Sequence, residues 1–147
     1  MAYQAKRKKE YAEEFQLTED DGTVVKTIHV KLDADSVVRN LSEKHVALVR
    51  ALEDVRNVSA SNEAEDKARG LEVLGSAVTD MLEAVFGAED TKTIVDFYEG
   101  RYIEMCSEVV PFITGVVIPS IRKIAKDNKK MALAGYGQKP RGLFGRK

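Results

Sequence analysis

The spacing of apolar residues changes once along this chain, from every second residue to about every third or fourth, and the change falls near Asp33. Before this point Ile28 and Val30 alternate with polar residues, which is typical of a strand that buries one face. After it Leu41 and Leu48 belong to a stripe with a period near 3.6, which is typical of an amphipathic helix. The pattern therefore predicts an N-terminal β-structure followed by helices.

A second segment of alternating apolar residues precedes the one that contains Ile28 and Val30. Tyr11 and Leu17 fall on one face of an extended segment, and Asp21-Gly22 between the two segments suits the positive φ of a tight hairpin turn. Residues 11–32 are predicted to form one β-hairpin. Because two strands alone are marginal in water, its apolar face must cover helices or pair with another copy.

The remainder is predicted to be a bundle of about four helices, so the fold class is mainly α (α+β). Gly87 follows an apolar stripe and suits a helix C-terminus, and Pro111 either kinks a third helix or begins a fourth. At 147 residues the chain is expected to form a single domain over 11–130. The predicted parts are a basic arm at 1–10, helices at about 35–57, 63–86, 90–109 and 111–130, and a flexible basic tail at 131–147.

Charge is distributed less evenly than the formal net charge of −1 suggests. Residues 121–147 carry nine basic residues against Asp127 alone, a charge of +8, and a second basic run at 6–9 opens the chain. Opposite charges in different parts of one chain permit head-to-tail or partner contacts that salt weakens. The basic residues are not interleaved with aromatic ones, and the sequence pI is near 6.2, which argues against a dedicated nucleic-acid binder.

Residues that carry chemistry are scattered. Cys106 is the single cysteine, so no internal disulfide forms, and His29 and His45 lack the ligand spacing of a metal site. No nucleophile stands beside a base, and clustered carboxylates occupy a strand edge, a turn and a helix start. We therefore predict no catalytic residue, no cofactor and no metal.

The longest uncharged stretch is Val109–Ile121, and its 13 residues fall short of the ~18 that a membrane-spanning helix needs. Pro111, Gly115 and Pro119 interrupt it, so we interpret it as buried core or as an interface. The chain also lacks an apolar N-terminal segment of the secretory type. Neither secretion nor a membrane association is predicted.

The order of packing motifs in the helical part resembles a known family. Met81-Leu82-Glu83-Ala84-Val85-Phe86-Gly87 is followed by Phe97-Tyr98 with Tyr102, then by the Pro111 to Pro119 segment and a basic tail. Over roughly residues 10 to 130 this order resembles the small tail assembly chaperones encoded by long-tailed (siphovirus-like) bacteriophages and prophages of Gram-positive bacteria. The motifs are packing motifs and carry no catalytic signature.

The resemblance implies a non-enzymatic protein of the infected cytoplasm. Such a protein binds the tape measure protein and keeps that long hydrophobic helix soluble while tail tube subunits assemble around it. The resemblance also implies self-association, absence from the finished virion and, for a longer frameshifted form, contact with the tail tube protein.

Candidate partner-binding residues lie in the third and fourth predicted helices, where aromatic anchors and an adaptable Met stand beside Pro and Gly that oppose regular packing. They are Tyr98, Tyr102, Met105, Phe112, Ile113, Val116 and Val117, with Leu143 and Phe144 as a short docking motif in the tail. The alternative is that the residues of the two helices fill the core of the monomer.

Two other classes of function remain open at this point. The basic tail also suits a structural virion protein, such as a head-tail connector or minor tail component, that reaches for a neighbour. It equally suits a basic-tailed nucleic-acid-binding regulator, whose affinity would fall steeply with salt.

Overall fold

The computed structural model describes the backbone of residues 2–59 and 64–144, and side-chain surroundings within 2–57, 64, 65 and 67–134. With 71% of the chain helical after an N-terminal hairpin, the predicted fold class is confirmed. The elements are β1 (Tyr11–Thr18), β2 (Val24–Leu32), α1 (Ala34–Ser59), α2 (Ala64–Phe97), α3 (Tyr102–Glu108), α4 (Val110–Phe112), the π-helical segment π1 (Ile113–Val117) and α5 (Ile118–Phe144).

The two strands pair antiparallel around the predicted turn. Gly22 has a φ of 91°, and its N–H donates to the Glu19 carbonyl at 2.9 Å. The backbone N–H of Thr23 donates to the Asp21 carboxylate at 2.9 Å, and this bond holds the pKa of Asp21 below its ordinary value. Asp-Gly thus supplies both a left-handed residue and a side-chain acceptor, and the hairpin prediction is confirmed.

The apolar face of the hairpin packs on the helices of its own chain. Tyr11, Phe15 and Leu17 are buried on β1, and the Phe15 ring lies 5.2 Å from Phe86 of α2 and 4.9 Å from Phe112 of α4, centroid to centroid. Buried apolar residues from Tyr11 to Ile124 form one connected core. The hairpin therefore needs no second copy to cover its apolar face.

Helices α1, α2 and α5 form the main helical layer. The α1 stripe is buried as predicted, with Leu41 and Leu48 fully enclosed, and α5 lies against its first half. The Arg122 guanidinium donates to the Ser42 hydroxyl at 3.3 Å, and the Asn128 amide donates to Asp35 at 3.5 Å, so α5 runs antiparallel to α1.

The predicted second helix is buried only in part. From Leu74 onward its apolar stripe is enclosed, but Ala64, Ala68 and Leu71 are exposed. They lie beyond the level at which α3 meets α2, where the Tyr102 ring lies over Gly75. The α1–α2 pair therefore continues past the rest of the fold as a two-helix arm. The first predicted helix, 35–57, extends further, because α1 runs to Ser59, and residues 60–63 lie outside the described chain.

The prediction of one helix over 90–109 is wrong. Helical structure resumes directly after the kink at Gly87, ends at Phe97, and begins again at Tyr102. At the end, the Gly100 N–H donates to the Val95 carbonyl and the Glu99 N–H to the Asp96 carbonyl, which is the Schellman pattern. Glu99 has a φ of 55° and Gly100 a φ of 73°, so two left-handed residues turn the chain.

The predicted fourth helix, 111–130, is divided by its prolines. Pro111 occupies the first turn of α4 and Pro119 the first turn of α5, positions where a missing N–H is tolerated. Between them π1 widens the helix, and the Ile118 N–H bonds back to the Ile113 carbonyl. The predicted C-terminal end of this helix near residue 130 is also wrong. Met131 to Ala134 are good helix formers, and α5 continues to Phe144.

Gly87 provides a test of how far the kink in α2 depends on glycine. Its φ of 82° and ψ of 166° lie in a region that L residues with a side chain avoid. Gly87→Ala should lower the free energy of unfolding by about 1–3 kcal/mol in urea titrations.

Gly70→Ala is the matched control within the same helix. A Cβ there meets Val55 Cγ2 at an ordinary 3.6 Å, so the helix propensity of Ala should raise the free energy of unfolding by up to about 1 kcal/mol. Equal effects at both positions would contradict the assigned role of Gly87.

Candidate functional site

The predicted partner-binding residues of the third and fourth helices differ in how deeply they are buried. Met105, Ile113 and Val117 are fully buried, so in this structure they are core residues, which is the alternative that the sequence left open. Val116 is 40% exposed on π1. The partly buried members pack against the core with one side of the ring; they are Tyr98, Tyr102 and Phe112.

The tail motif Leu143-Phe144 belongs to α5 by its backbone. The side chains of these two residues lie outside the described part of the chain, so their role as a docking motif stays a prediction.

Local geometry explains why the aromatic residues are only half covered. Phe112 stacks beside Phe86 at 6.1 Å and contacts Phe15, which leaves its outer edge toward solvent. Tyr102 lies flat over Gly75, whose missing side chain makes room for the ring. These residues hold α3 and α4 onto the fold as well as presenting surface.

Most of the exposed apolar surface on the helices was missed by sequence analysis. Large apolar side chains that are at least 40% exposed occur on α5, at Met131 and Leu133, and on four other helical elements, where six of them lie. We call these six the apolar collar: Val46 (56%), Val49 (41%), Leu71 (44%), Val73 (51%), Ile103 (52%) and Val116 (40%).

The helix registers place these residues at similar levels along the α1–α2 pair. Because Ser42 lies opposite Arg122 in an antiparallel pair, Val49 is level with π1. The Tyr102 contact with Gly75 brings the start of α3 to the corresponding part of α2, on the face that Leu71 shares with Gly75, whereas Val73 lies on the opposite side of α2. The apolar collar thus surrounds the base of the two-helix arm.

A helical stripe on its own could not have revealed the collar. The stripe marks where a helix is apolar, but the number of neighbours that cover it depends on tertiary packing. Val46 did carry a local signal, because it lies off the buried stripe of α1 and is nevertheless a large apolar residue.

The thiol of Cys106 is half-buried on α3. Burial raises the pKa of this thiol above its ordinary value, because desolvation disfavours the thiolate. In residues 2–59 and 64–144 no three His, Cys, Asp or Glu side chains are grouped to hold a metal ion. The absence of catalytic function stays a prediction.

One helical segment, Tyr102–Ala134, is long and apolar enough by length and composition to cross a membrane. About 33% of its most apolar window is buried inside the fold, where it includes core residues such as Ile113 and Val117. Core helices pass the same test, so the segment is weak support for a membrane span. The absence of membrane association stays a prediction.

Comparisons with protein-family models, with curated proteins and with solved structures found no match. The resemblance to tail assembly chaperones therefore stays a prediction from the sequence motifs.

The contact between Gly75 and Tyr102 yields a stability prediction. A Cβ at position 75 would lie 2.7 Å from the Tyr102 ring, so Gly75→Ala should displace the ring and lower the free energy of unfolding by about 1–3 kcal/mol. In a Tyr102→Ala background the same substitution should instead raise it by about 1 kcal/mol, through helix propensity. Urea unfolding of the four proteins measures this coupling, and equal effects in both backgrounds would rule out the contact.

The raised pKa of Cys106 predicts slow alkylation. At neutral pH iodoacetamide should react with the folded protein more slowly than with the urea-unfolded protein, because less thiolate is present and access is reduced. The rate should keep rising with pH beyond the ordinary thiol range. A fast rate that is independent of pH near neutrality would instead reveal an activated thiolate.

Proposed function

We propose that this protein is a non-enzymatic assembly chaperone that binds an apolar helical segment of another chain at the apolar collar. The observation that carries this proposal is the exposure of six large apolar side chains on four adjoining helical elements. These side chains lie at similar levels around the α1–α2 pair, and a cluster of exposed apolar residues is typical of a protein interaction site. A helical partner laid against helices is a common mode of recognition.

The number of collar residues matters to the affinity. Burying a whole Val or Ile side chain stabilises a complex by ~1.5–3 kcal/mol, and each collar residue is already about half covered. Each therefore adds about 1 kcal/mol, whereas a micromolar complex needs about 8 kcal/mol. The site must act as a group, with partly buried Tyr98, Tyr102 and Phe112 as additional aromatic contacts.

The resemblance to tail assembly chaperones suggests which partner to propose. That family binds the tape measure protein during tail assembly, and keeps its long apolar helix soluble until tube subunits surround it. We therefore propose action in the cytoplasm of an infected or prophage-carrying cell, with self-association, a further contact with the tail tube protein and no cofactor. The proposed function requires no nucleic acid and no membrane.

The apolar collar can be tested by polar substitution at two exposed positions. Ile103→Gln with Val116→Gln should keep the fold, because both side chains are at least 40% exposed. Binding to the tape measure protein of the same phage genome should weaken at least tenfold, since each buried amide without a partner costs ~1–3 kcal/mol. Co-purification and calorimetric titration measure the effect.

Val25→Gln is the matched control, because Val25 is 54% exposed on the hairpin and lies outside the apolar collar. This variant should bind like the unmodified protein. Equal binding by all variants, or failure of the unmodified protein to keep the tape measure protein soluble on co-expression, would contradict the proposal. A stoichiometric signal for this chain in purified particles would favour the structural virion protein instead.

A further inference from the structure

Two basic stretches that are far apart in sequence meet at the open end of the β-hairpin. The N-terminal run lies against α1 and α5 around a cavity of about 680 Å³. The basic surface consists of Lys6, Arg7, Lys8, Lys9 and Lys129, and Met131 and Ala132 add apolar contact.

The charge of this surface is only partly neutralised within the chain. Lys8 pairs with Asp35 at 2.5 Å and Asp33 at 3.9 Å, which anchors the N-terminal run to the start of α1. Among the described residues, Lys6, Arg7, Lys9 and Lys129 have no ion-pair partner. Four cations therefore remain available to an external anionic group.

A cleft of opposite charge lies at the other end of the hairpin, beside its turn. It has a volume of about 730 Å³ and is floored by Phe97 and Tyr98, whose rings meet edge to face at 4.9 Å. The acidic surface consists of Glu19, Asp20, Glu99, Glu104 and Glu108. Arg101 is the cation in this lining, and it pairs with Glu99 at 3.7 Å and Glu104 at 3.6 Å.

The two surfaces cannot meet within one molecule. The basic surface adjoins Tyr11, where β1 begins, and the acidic surface adjoins Thr18, where β1 ends. The eight residues of β1 separate them by about 26 Å at the usual rise of a strand. A second copy of the chain can present the matching surface.

We propose that the basic surface of one copy binds the acidic surface of a second copy, head to tail. The contact matches surplus cations to surplus carboxylates, and the Phe97 and Tyr98 rings suit a guanidinium such as that of Arg7. Each dimer leaves one basic and one acidic surface free, so assembly continues to an open chain or closes as a ring. This inference rests on the self-association proposed above and gives it a specific geometry, and its surfaces share only Tyr98 with the residues assigned to partner binding. The substitutions below leave the apolar collar unchanged, so failure of this contact and failure of partner binding are measured separately.

Neutralised variants test the direction of the contact. Lys6→Gln/Arg7→Gln/Lys129→Gln removes three of the four unpaired cations of the basic surface, and Glu19→Gln/Glu104→Gln/Glu108→Gln removes three of the five carboxylates of the acidic surface. Light scattering after gel filtration should show the unmodified protein assembling at about 0.01 M salt and separating at about 1 M, because salt screens the contact. Each variant alone should remain a monomer at low salt, with its association weakened at least tenfold.

Mixing the two variants gives the sharpest result. Each retains the surface that the other lacks, so the mixture should form a one-to-one dimer and nothing larger. Arg39→Gln/Arg50→Gln/Arg56→Gln on the exposed face of α1 is the matched control and should assemble like the unmodified protein. Circular dichroism verifies that all variants keep their helices.

Four results would overturn the inference. The first is an unmodified protein that stays monomeric at low salt, and the second is a mixture that shows no dimer. The third is a monomeric protein that binds a DNA duplex through the basic surface, which would make nucleic acid its occupant. Assembly that survives both sets of substitutions would likewise exclude this contact.

Discussion

Three phenylalanine rings pack together and join three elements that are distant in sequence. Phe15 from β1, Phe86 from the end of the first part of α2, and Phe112 from α4 lie 4.9 to 6.1 Å apart, centroid to centroid. A two-stranded hairpin has marginal stability alone, so its structure depends on this apolar cover. The same contact holds α4 in place, and π1 and α5 follow directly from it along the chain.

The core built around these rings leaves one part of the helical layer uncovered. α5 covers the first half of α1, and α3 meets α2 at Gly75, but the α1–α2 pair extends beyond both. The apolar collar lies at this boundary. The same architecture therefore accounts for a stable core and for the apolar surface through which we propose that the protein binds its partner.

Local patterns predicted the parts of the fold that depend on local chemistry. The Asp21-Gly22 turn, the buried α1 stripe and the positive φ of Gly87 each follow from residues within a few positions. The break at Glu99 was not predictable in the same way, because a glutamate with a φ of 55° is held there by the bonds that close the helix end.

The candidate site was predicted less well, since exposure depends on which elements pack together. Tyr102 is partly buried and Val116 is exposed, whereas Met105 and Ile113, which were proposed on the same grounds, are enclosed by neighbours distant in sequence. Val46 and Val73 lie in other predicted helices, and only the packing of α3 and α5 against the α1–α2 pair shows that they lie at a similar level to Ile103 and Val116.

The central claim is that exposed helical surface at the base of the arm binds another protein chain. Hydrogen exchange measured by mass spectrometry, with and without the tape measure protein, tests it most directly. The account predicts slower exchange in peptides that contain Val46, Val73, Ile103 and Val116, with the hairpin unchanged. Protection confined to the hairpin or the N-terminal run, or no protection at all, would contradict it.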